Sequence, residues 1–302
     1  MSLMLTIEVK FNCNENKDNS IVKLYYRKLG GNMKIDVSMA NIDYEIIGDG
    51  IPVLMIHGFS LDKHVMKGAY EPIFEKISGF KRIYLDLPVM GDSKAKEGLK
   101  TSDDMLECII EFVDKVLGEE KFILIGQSFG GYLAQGLVSK VPDKTLGLGL
   151  VCPVVLADSD KRNLPDHKMM VDESSMINYG DKEDFEEFLE YAVVATQTTY
   201  DRYVSDILVG FEKATSDLLQ IIREEHYELK PEPYERIKNY DKPSLILVGK
   251  QDCTVGYKDV LRLDAEFSNL SISMINKAGH GLQYEQVDIF NDLTLRWLKE
   301  FK

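Results

Sequence analysis

One serine stands in a setting that would make its hydroxyl a nucleophile. Ser128 lies in residues 126–131, which read Gly-Gln-Ser-Phe-Gly-Gly and fit the pattern G-x-S-x-G. This sequence directly follows an apolar run at 121–125, a predicted buried strand, and precedes a predicted helix, as a nucleophile elbow requires. Side chains at Gly126 and Gly130 would crowd so sharp a turn. The following helix would point free N–H groups and its positive dipole end at the site. A small-residue turn without chemistry is the alternative.

A second motif ends an earlier predicted strand. Residues 54–60 read Leu-Met-Ile-His-Gly-Phe-Ser. With this His-Gly-aromatic turn added to the serine turn, the chain resembles the α/β-hydrolase superfamily. The resemblance implies an oxyanion hole formed by the main-chain N–H groups of Phe59 and Phe129, where loss of one donor typically costs about 3–4 kcal/mol. His57 and Gly58 are interpreted as supports of the turn, not as catalytic groups.

An acid and a histidine follow two later predicted strands. Asp252 ends the sequence Val-Gly-Lys-Gln-Asp, and His280 lies in Ala-Gly-His-Gly. The order serine, acid, histidine is the order of the superfamily, and the resemblance implies that Asp252 is the triad acid and His280 the general base. Asp158 is the rival acid, because some relatives carry the acid after the preceding strand. We favour Asp252, since the polar, helix-breaking surroundings of Asp158 are typical of a surface loop.

No metal or organic cofactor is expected. The four cysteines show neither C-x-x-C pairing nor histidine-rich surroundings, which argues against a metal site or a disulfide framework; they are Cys13, Cys108, Cys152 and Cys253. The remaining histidines are interpreted as surface or cap residues: His64, His167 and His226. Of these, His64 follows the oxyanion turn closely enough to be a candidate for lining the pocket.

The candidate site residues need a scaffold of alternating strands and helices. Hydrophobic patterning predicts strands at residues 34–39, 41–47, 53–56, 82–85, 121–125, 146–151, 244–248 and 271–275. It predicts helices at about 64–78, 102–117, from just after Ser128 to about 140, near 257–266 and at about 286–301. This alternation indicates an α/β fold with a mostly parallel sheet covered by helices on both faces, consistent with the α/β-hydrolase fold that the motifs suggest.

The alternation stops over about residues 155–240. This segment contains predicted helices at roughly 182–195, 200–212 and 216–228, without a convincing strand. We interpret it as an all-helical cap inserted into a core formed by residues 33–154 and 241–302. Such a cap is expected over the carboxyl ends of the strands, where sheets of this type bind ligands.

Residues 1–32 are assigned to an N-terminal extension that is partly of non-native origin. Met1-Ser2-Leu3 resembles an expression leader. Gly30-Gly31-Asn32-Met33 back-translates to a purine-rich ribosome-binding sequence followed by a start codon, so the native chain is expected to begin at Met33. A strand is predicted over Met4–Phe11.

The charge distribution limits the partners. The chain of 302 residues carries a formal net charge of −14, and residues 153–242 hold 21 Asp and Glu against 11 Lys and Arg. So acidic a surface repels nucleic acids and anionic membranes, although attraction of cationic substrates stays an alternative to a solvated helical surface. We see neither an apolar run of about 18–20 residues nor a secretory signal, and therefore expect a cytoplasmic protein of undetermined oligomeric state.

The predicted reaction is acyl transfer to water, with a small carboxylic ester as the first choice of substrate. An activity like that of prolyl aminopeptidase is an alternative, in which the acidic run Asp181–Glu187 would surround a substrate ammonium group. Carbon–carbon bond hydrolysis of dienone acids is another, and it needs a cation for which Arg162, Arg202 and Arg223 are candidates. A small-ligand receptor on the same scaffold is the alternative of another class, because fold does not fix function.

Overall fold

The chain forms a central sheet, built mainly from apolar runs, and a separate pair of short strands. The computed structural model describes residues 31–302, so the strand predicted over Met4–Phe11 lies outside the described residues. The strands, in chain order, are β1 Asn32–Asp36, β2 Ala40–Ile47, β3 Ile51–Ile56, β4 Phe80–Leu85, β5 Lys94–Ala95, β6 Phe122–Gln127, β7 Thr145–Val151, β8 Val171–Asp172, β9 Val194–Ala195, β10 Ser244–Gly249 and β11 Leu270–Ile275.

The strand order of the main sheet is β1-β2-β4-β3-β6-β7-β10-β11, with the short β5 beside β2. β2 pairs antiparallel with β1, β4 and β5. From β4 to β11 every neighbouring pair is parallel. Every residue of β6 and β10 is buried, as expected of strands covered on both faces. The predicted α/β-hydrolase fold with a mostly parallel sheet is confirmed, and the carboxyl ends of its parallel strands meet at one edge.

Helices flank this sheet and fill the segment between β7 and β10. They are α1 Lys63–Phe74, α2 Ser102–Val116, α3 Phe129–Lys140, α4 Lys182–Tyr191, α5 Gln197–Tyr203, α6 Val209–Lys213, α7 Asp217–Glu225, α8 Pro233–Arg236, α9 Leu282–Glu285 and α10 Val287–Leu298. A π-helical stretch, Val204–Leu208, joins α5 to α6. Across residues 31–302, no helix is both long and apolar enough to cross a bilayer.

Three of the helices predicted in the core differ from the observed ones. α1 ends at Phe74 rather than Ser78, because the chain must reverse at Gly79, whose carbonyl accepts a hydrogen bond from the N–H of Ile51. The helix predicted near 257–266 is two short 3₁₀ helices, Asp259–Arg262 and Asp264–Glu266. There the carbonyl of Glu266 accepts a hydrogen bond from Tyr240 rather than from a helical neighbour.

The C-terminal helix is also interrupted. In place of one helix over about 286–301, the chain forms α9, then α10, then a 3₁₀ turn at Lys299–Phe301. The break falls at Gln286, whose φ of −131° is not helical. It separates α9 from α10. The buried carboxylate of Glu285, at the end of α9, accepts hydrogen bonds from main-chain N–H groups outside this helix.

The segment of residues 155–240, here called the helical insertion, departs from the prediction in its short strands and in the end of its first helix. β8 and β9 pair in parallel within it, so the expectation of helices alone was wrong. The helix predicted over 182–195 ends at Tyr191, because the N–H groups of Val193 and Val194 donate to the carboxylate of Glu285 in the core. A tertiary hydrogen bond thus replaces the helical one.

Candidate active site

Ser128 occupies a strained turn between β6 and α3. Its φ of 54° and ψ of −120° are unusual for a residue with a side chain, and such strain is retained mainly at functional sites. A Cβ on Gly126 would lie 2.4 Å from the carbonyl oxygen of Gly130, and a Cβ on Gly130 would lie 2.3 Å from that of Ile56. Only glycine fits at these two positions without movement of the main chain.

The loops after β10 and β11 bring an acid and a histidine to this turn. The Nε2 atom of His280 lies 2.9 Å from the Oγ atom of Ser128, and its Nδ1 atom lies 2.9 Å from the Oδ2 atom of Asp252. Asp252 is fully buried. Its Oδ1 atom accepts hydrogen bonds from the N–H groups of Thr254 and Val255 at 2.9 and 3.0 Å. The carboxylate is therefore fixed in orientation on both oxygens.

The rival acid lies in a different environment. Asp158 is exposed and caps the 3₁₀ helix Ser159–Lys161, with its carboxylate accepting a hydrogen bond from the N–H of Asp160. The same carboxylate forms an ion pair of 3.0 Å with Lys161. Of the two candidate acids, the structure brings Asp252 into contact with His280.

The two predicted oxyanion residues lie against each other beside the serine. The rings of Phe59 and Phe129 are 5.0 Å apart at an interplanar angle of 83°. A Cβ on Gly58 would lie 3.1 Å from the Cβ of Ser128, which shows how closely the turn after β3 approaches the elbow. Phe129 is the first residue of α3, and the first N–H groups of a helix have no acceptor within it.

The alpha/beta hydrolase fold family matches residues 51–208, more than half of the 302 residues. The chain belongs to this family. The match covers the strands and turns that carry Phe59 and Ser128, together with the first part of the helical insertion.

Similarity to individual proteins extends over most of this alpha/beta hydrolase. A solved alpha/beta superfamily hydrolase from Oenococcus oeni PSU-1 is 36% identical, with a TM-score of 0.79, covering 85% of this chain and 96% of that one. A 2-hydroxy-6-oxononadienedioate/2-hydroxy-6-oxononatrienedioate hydrolase of Pseudomonas putida is 24% identical over 85% of this chain and 92% of its own length. A monoacylglycerol lipase of Mus musculus is 25% identical over 89% of this chain and 84% of its own length.

His57 of this hydrolase is buried and neutral in the turn that follows β3. Its Nδ1 atom lies 2.8 Å from the carbonyl oxygen of Gly58, and its Nε2 atom accepts a hydrogen bond from the N–H of Leu87 at 2.9 Å. The ring therefore donates through Nδ1 and accepts through Nε2. Burial lowers the pKa of His57, which favours this neutral form and is consistent with a supporting role.

Glu285 is a residue of the site that the sequence analysis missed. Its carboxylate is buried and accepts hydrogen bonds from the main-chain N–H groups of Gly279, Val193 and Val194. Burial raises the pKa of Glu285, although these N–H groups favour its ionised form. The sequence offers a weak signal, an acid five residues after His280 in an otherwise mostly uncharged stretch.

Cys152 lies beneath the histidine. Its thiol donates to the carbonyl oxygen of Gly279, and burial raises its pKa well above the usual value. Its sulfur and the ligand atoms of Asp252 and His280 lie within 4.8 Å of one another. A protonated thiol is a poor metal ligand. The Asp252 carboxylate and the His280 imidazole already share a hydrogen bond with each other. This cluster therefore does not fit a metal site.

A pocket of about 570 Å³ opens in front of Ser128 and His280. Residues of the core and of the helical insertion line it together, among them Glu187 of the acidic run and the arginines Arg162 and Arg223. The third candidate arginine, Arg202, instead forms an ion pair with Asp206 on the next turn. The half-buried ring of His64 lies within hydrogen-bond distance of Asp62, at 2.9 Å, and His64 is not among the residues that line the pocket.

Proposed function

We propose that this alpha/beta hydrolase is a serine hydrolase that cleaves a small carboxylic ester through an acyl-enzyme on Ser128. One observation carries the proposal. Two hydrogen bonds of 2.9 Å connect Asp252, His280 and Ser128 in a continuous path that ends at a strained serine facing a pocket. This is the arrangement of nucleophile, base and orienting acid in serine hydrolases.

Acylation begins at the serine hydroxyl. As the Oγ atom of Ser128 attacks the ester carbonyl, its proton passes to the Nε2 atom of His280. The Asp252 carboxylate holds the imidazole in the tautomer with hydrogen on Nδ1 and stabilises the resulting imidazolium. The N–H groups of Phe59 and Phe129 donate to the carbonyl oxygen as it becomes negative. The tetrahedral intermediate collapses when His280 returns its proton to the departing alcohol.

Deacylation repeats the same steps with water. His280 removes a proton from water as the oxygen attacks the acyl-enzyme carbonyl, and the same two N–H groups bind the second oxyanion. The proton then passes to the Oγ atom of Ser128, which releases the carboxylic acid and regenerates the enzyme. The helical insertion supplies much of the pocket wall, and we propose that it acts as a cap that selects the substrate.

Covalent labelling tests the nucleophile. A fluorophosphonate probe is expected to label the protein on Ser128, and Ser128→Ala is expected to abolish both labelling and hydrolysis of p-nitrophenyl butyrate. Asp252→Asn is expected to lower kcat by about 10⁴-fold, because the imidazole adopts the wrong tautomer. Asp158→Asn is the matched control and is expected to retain activity. A folded protein without labelling and without esterase activity would refute the proposal.

Carbon–carbon bond hydrolysis is a second candidate reaction. It is favoured by the relative from Pseudomonas putida, whose similarity spans 92% of its length. A panel of esters, thioesters, aminoacyl amides and a dienone acid, assayed under steady-state conditions, separates the candidates. The proposal predicts the highest kcat/KM for an ester. Turnover of aminoacyl amides would indicate an aminopeptidase, and binding with negligible turnover would indicate a receptor.

A further inference from the structure

Two arginine side chains line the pocket without a carboxylate partner. Arg162 follows the 3₁₀ helix Ser159–Lys161, and Arg223 lies in the last turn of α7. Neither takes part in the ion pairs found among residues 31–302, where nitrogen and oxygen lie within 4.0 Å. This is unusual in a chain of net charge −14, because carboxylates that could pair with them are abundant.

Arg162 is held by main-chain carbonyl groups. Its guanidinium donates to the carbonyl oxygens of Leu156 at 2.9 Å, Ala157 at 2.9 Å and Thr254 at 3.2 Å. Neutral carbonyls fix the group in place but do not cancel its charge. A guanidinium has five N–H donors, so these bonds leave part of its donor capacity for a ligand. The carboxylate of the neighbouring Asp158 pairs with Lys161 instead.

Arg223 places a second positive charge near the reacting serine. Its guanidinium carbon lies 5.0 Å from the ring centroid of Phe59, within the range of a cation–π contact. Phe59 in turn contacts Phe129, the residue after Ser128. This exposed guanidinium therefore packs on the side chain of a residue of the proposed oxyanion turn.

Tyr227 connects the two arginines. Its ring packs on Phe59 and Phe129 at 5.4 and 4.7 Å between centroids. Burial raises the pKa of Tyr227 to about 12, and the charges of Arg162 and Arg223 both act to lower it. Both guanidiniums therefore lie close enough to the Tyr227 phenol to influence it, and all three side chains line the same pocket.

We infer that Arg162, Arg223 and Tyr227 form an anion subsite, and that the substrate carries a carboxylate group in addition to the bond that is cleaved. Guanidinium groups suit this ligand because their planar N–H donors match the two oxygens of a carboxylate. A singly charged group also fits better than a dianion beside a helical insertion with a large excess of acids. The inference rests on the proposed ester hydrolysis, for which it names the substrate class.

Two pairs of esters test the subsite. In the first pair the acyl chain differs: the p-nitrophenyl ester of adipic acid with a free carboxylate, and the ester of its uncharged monoamide. In the second pair the alcohol differs: the butyrate esters of 4-hydroxybenzoate and of 4-hydroxybenzamide. The wild-type enzyme is expected to show a higher kcat/KM for the carboxylate member of at least one pair, and that pair identifies the side of the ester that the subsite binds.

Arg223→Gln is the decisive variant, since this exposed side chain can be changed with little risk to folding. It is expected to lower kcat/KM for the preferred carboxylate ester about tenfold, the scale of a lost hydrogen bond to a charged group. The value for the matching amide ester should fall less, so the preference for the carboxylate ester over the amide ester should decrease. Arg262→Gln, an exposed arginine outside the pocket, is the control for net charge. Arg162→Gln should also lower kcat/KM for the preferred carboxylate ester, provided that thermal unfolding shows this variant to be folded.

The outcomes separate the two proposals. If wild-type enzyme hydrolyses carboxylate and amide esters equally well in both pairs, or if Arg223→Gln lowers both members equally, the subsite is refuted while the esterase proposal stands. If no ester is hydrolysed and Ser128 is not labelled by fluorophosphonate, both proposals fall.

Discussion

The carboxylate of Glu285 accepts a hydrogen bond of 2.6 Å from the main-chain N–H of Gly279, the residue immediately before His280. Its other oxygen accepts hydrogen bonds from the N–H groups of Val193 at 2.7 Å and Val194 at 3.2 Å, in the helical insertion. One buried side chain therefore ties the loop of the proposed base to the segment that lines the pocket.

Glu285→Gln is expected to impair catalysis more than substrate binding. The amide nitrogen of glutamine cannot accept a hydrogen bond, so at least one of the three N–H groups loses its partner and the loop at Gly279 shifts. Because small misplacements of a catalytic group are costly, kcat should fall by about 10-fold to 100-fold. KM for p-nitrophenyl butyrate should change by less than about threefold on the same argument. Steady-state kinetics and the rate of fluorophosphonate labelling measure both effects.

Gln286→Ala provides the control for this loop. The side chain of Gln286 donates to the carbonyl oxygen of Lys277 at 2.8 Å in an exposed position, so its removal tests a general loosening of the same loop. We expect wild-type kcat for this variant. Equal losses of kcat in Glu285→Gln and Gln286→Ala would contradict a specific role for Glu285.

Lys63 is expected to be essential for stability. Its buried Nζ atom lies 2.6 Å from Asp43 and 2.8 Å from Asp86, both also buried. Lys63→Met would leave two buried carboxylates without a cation, which typically costs about 3–5 kcal/mol of unfolding free energy. Lys161→Met, at an exposed ion pair, should cost less than about 1 kcal/mol. Urea denaturation measures both, and similar losses would contradict this account of the buried cluster.

Asp62 joins the start of α1 to the helical insertion. It caps α1 and contacts His64 at 2.9 Å and Lys213 at 3.2 Å. Burial favours the neutral form, but the hydrogen bonds from His64 outweigh it and hold the pKa of Asp62 well below its usual range. This folded-state pKa lies below the unfolded value of about 4. The ionised carboxylate therefore stabilises the folded protein fully above about pH 4, and this stabilisation is lost as the pH falls from there through the folded-state pKa.

Asp62→Asn should therefore destabilise the protein in a pH-dependent manner. Asparagine also caps helices, so the variant removes mainly the charge. At pH 7 the loss is expected to be about 1–3 kcal/mol, and it should shrink below about pH 4. Asp158→Asn changes an exposed cap and should stay within about 0.5 kcal/mol of wild type. A loss in Asp62→Asn that is constant from pH 7 to pH 3, measured by chemical denaturation, would contradict the assigned pKa.

The meeting of Ser128, Asp252 and His280 could be predicted because each follows a strand of a parallel sheet. Strand ends that point in one direction converge at one edge, and short apolar runs identify the strands. The fold class follows from the same alternation. The sequence supplies the positions of these residues along the chain and favours Asp252 over Asp158, whereas the contact distances needed the structure.

Glu285 and the pocket arginines could not be predicted in the same way. Glu285 ends α9, and two of its three N–H partners, Val193 and Val194, lie about 90 positions away along the chain, which no local pattern reveals. The sequence makes Arg162, Arg202 and Arg223 candidate cations, but only the three-dimensional structure shows that Arg162 and Arg223 line the pocket while Arg202 pairs with Asp206. The break at Gln286 and the end of α4 at Tyr191 follow from these tertiary hydrogen bonds rather than from helix propensity.

Gly130→Ala is expected to damage the elbow by steric overlap alone. A Cβ at this position would lie 2.3 Å from the carbonyl oxygen of Ile56 and 2.4 Å from that of His57. Because both atoms belong to the main chain, α3 and the strand end must separate, which should cost about 1–3 kcal/mol and displace Ser128 from His280. Gly180→Ala is the matched control, since a Cβ there meets no atom within 4 Å. Thermal unfolding and esterase assays of the two variants decide the point: a wild-type kcat for folded Gly130→Ala would show that the elbow tolerates the added methyl group.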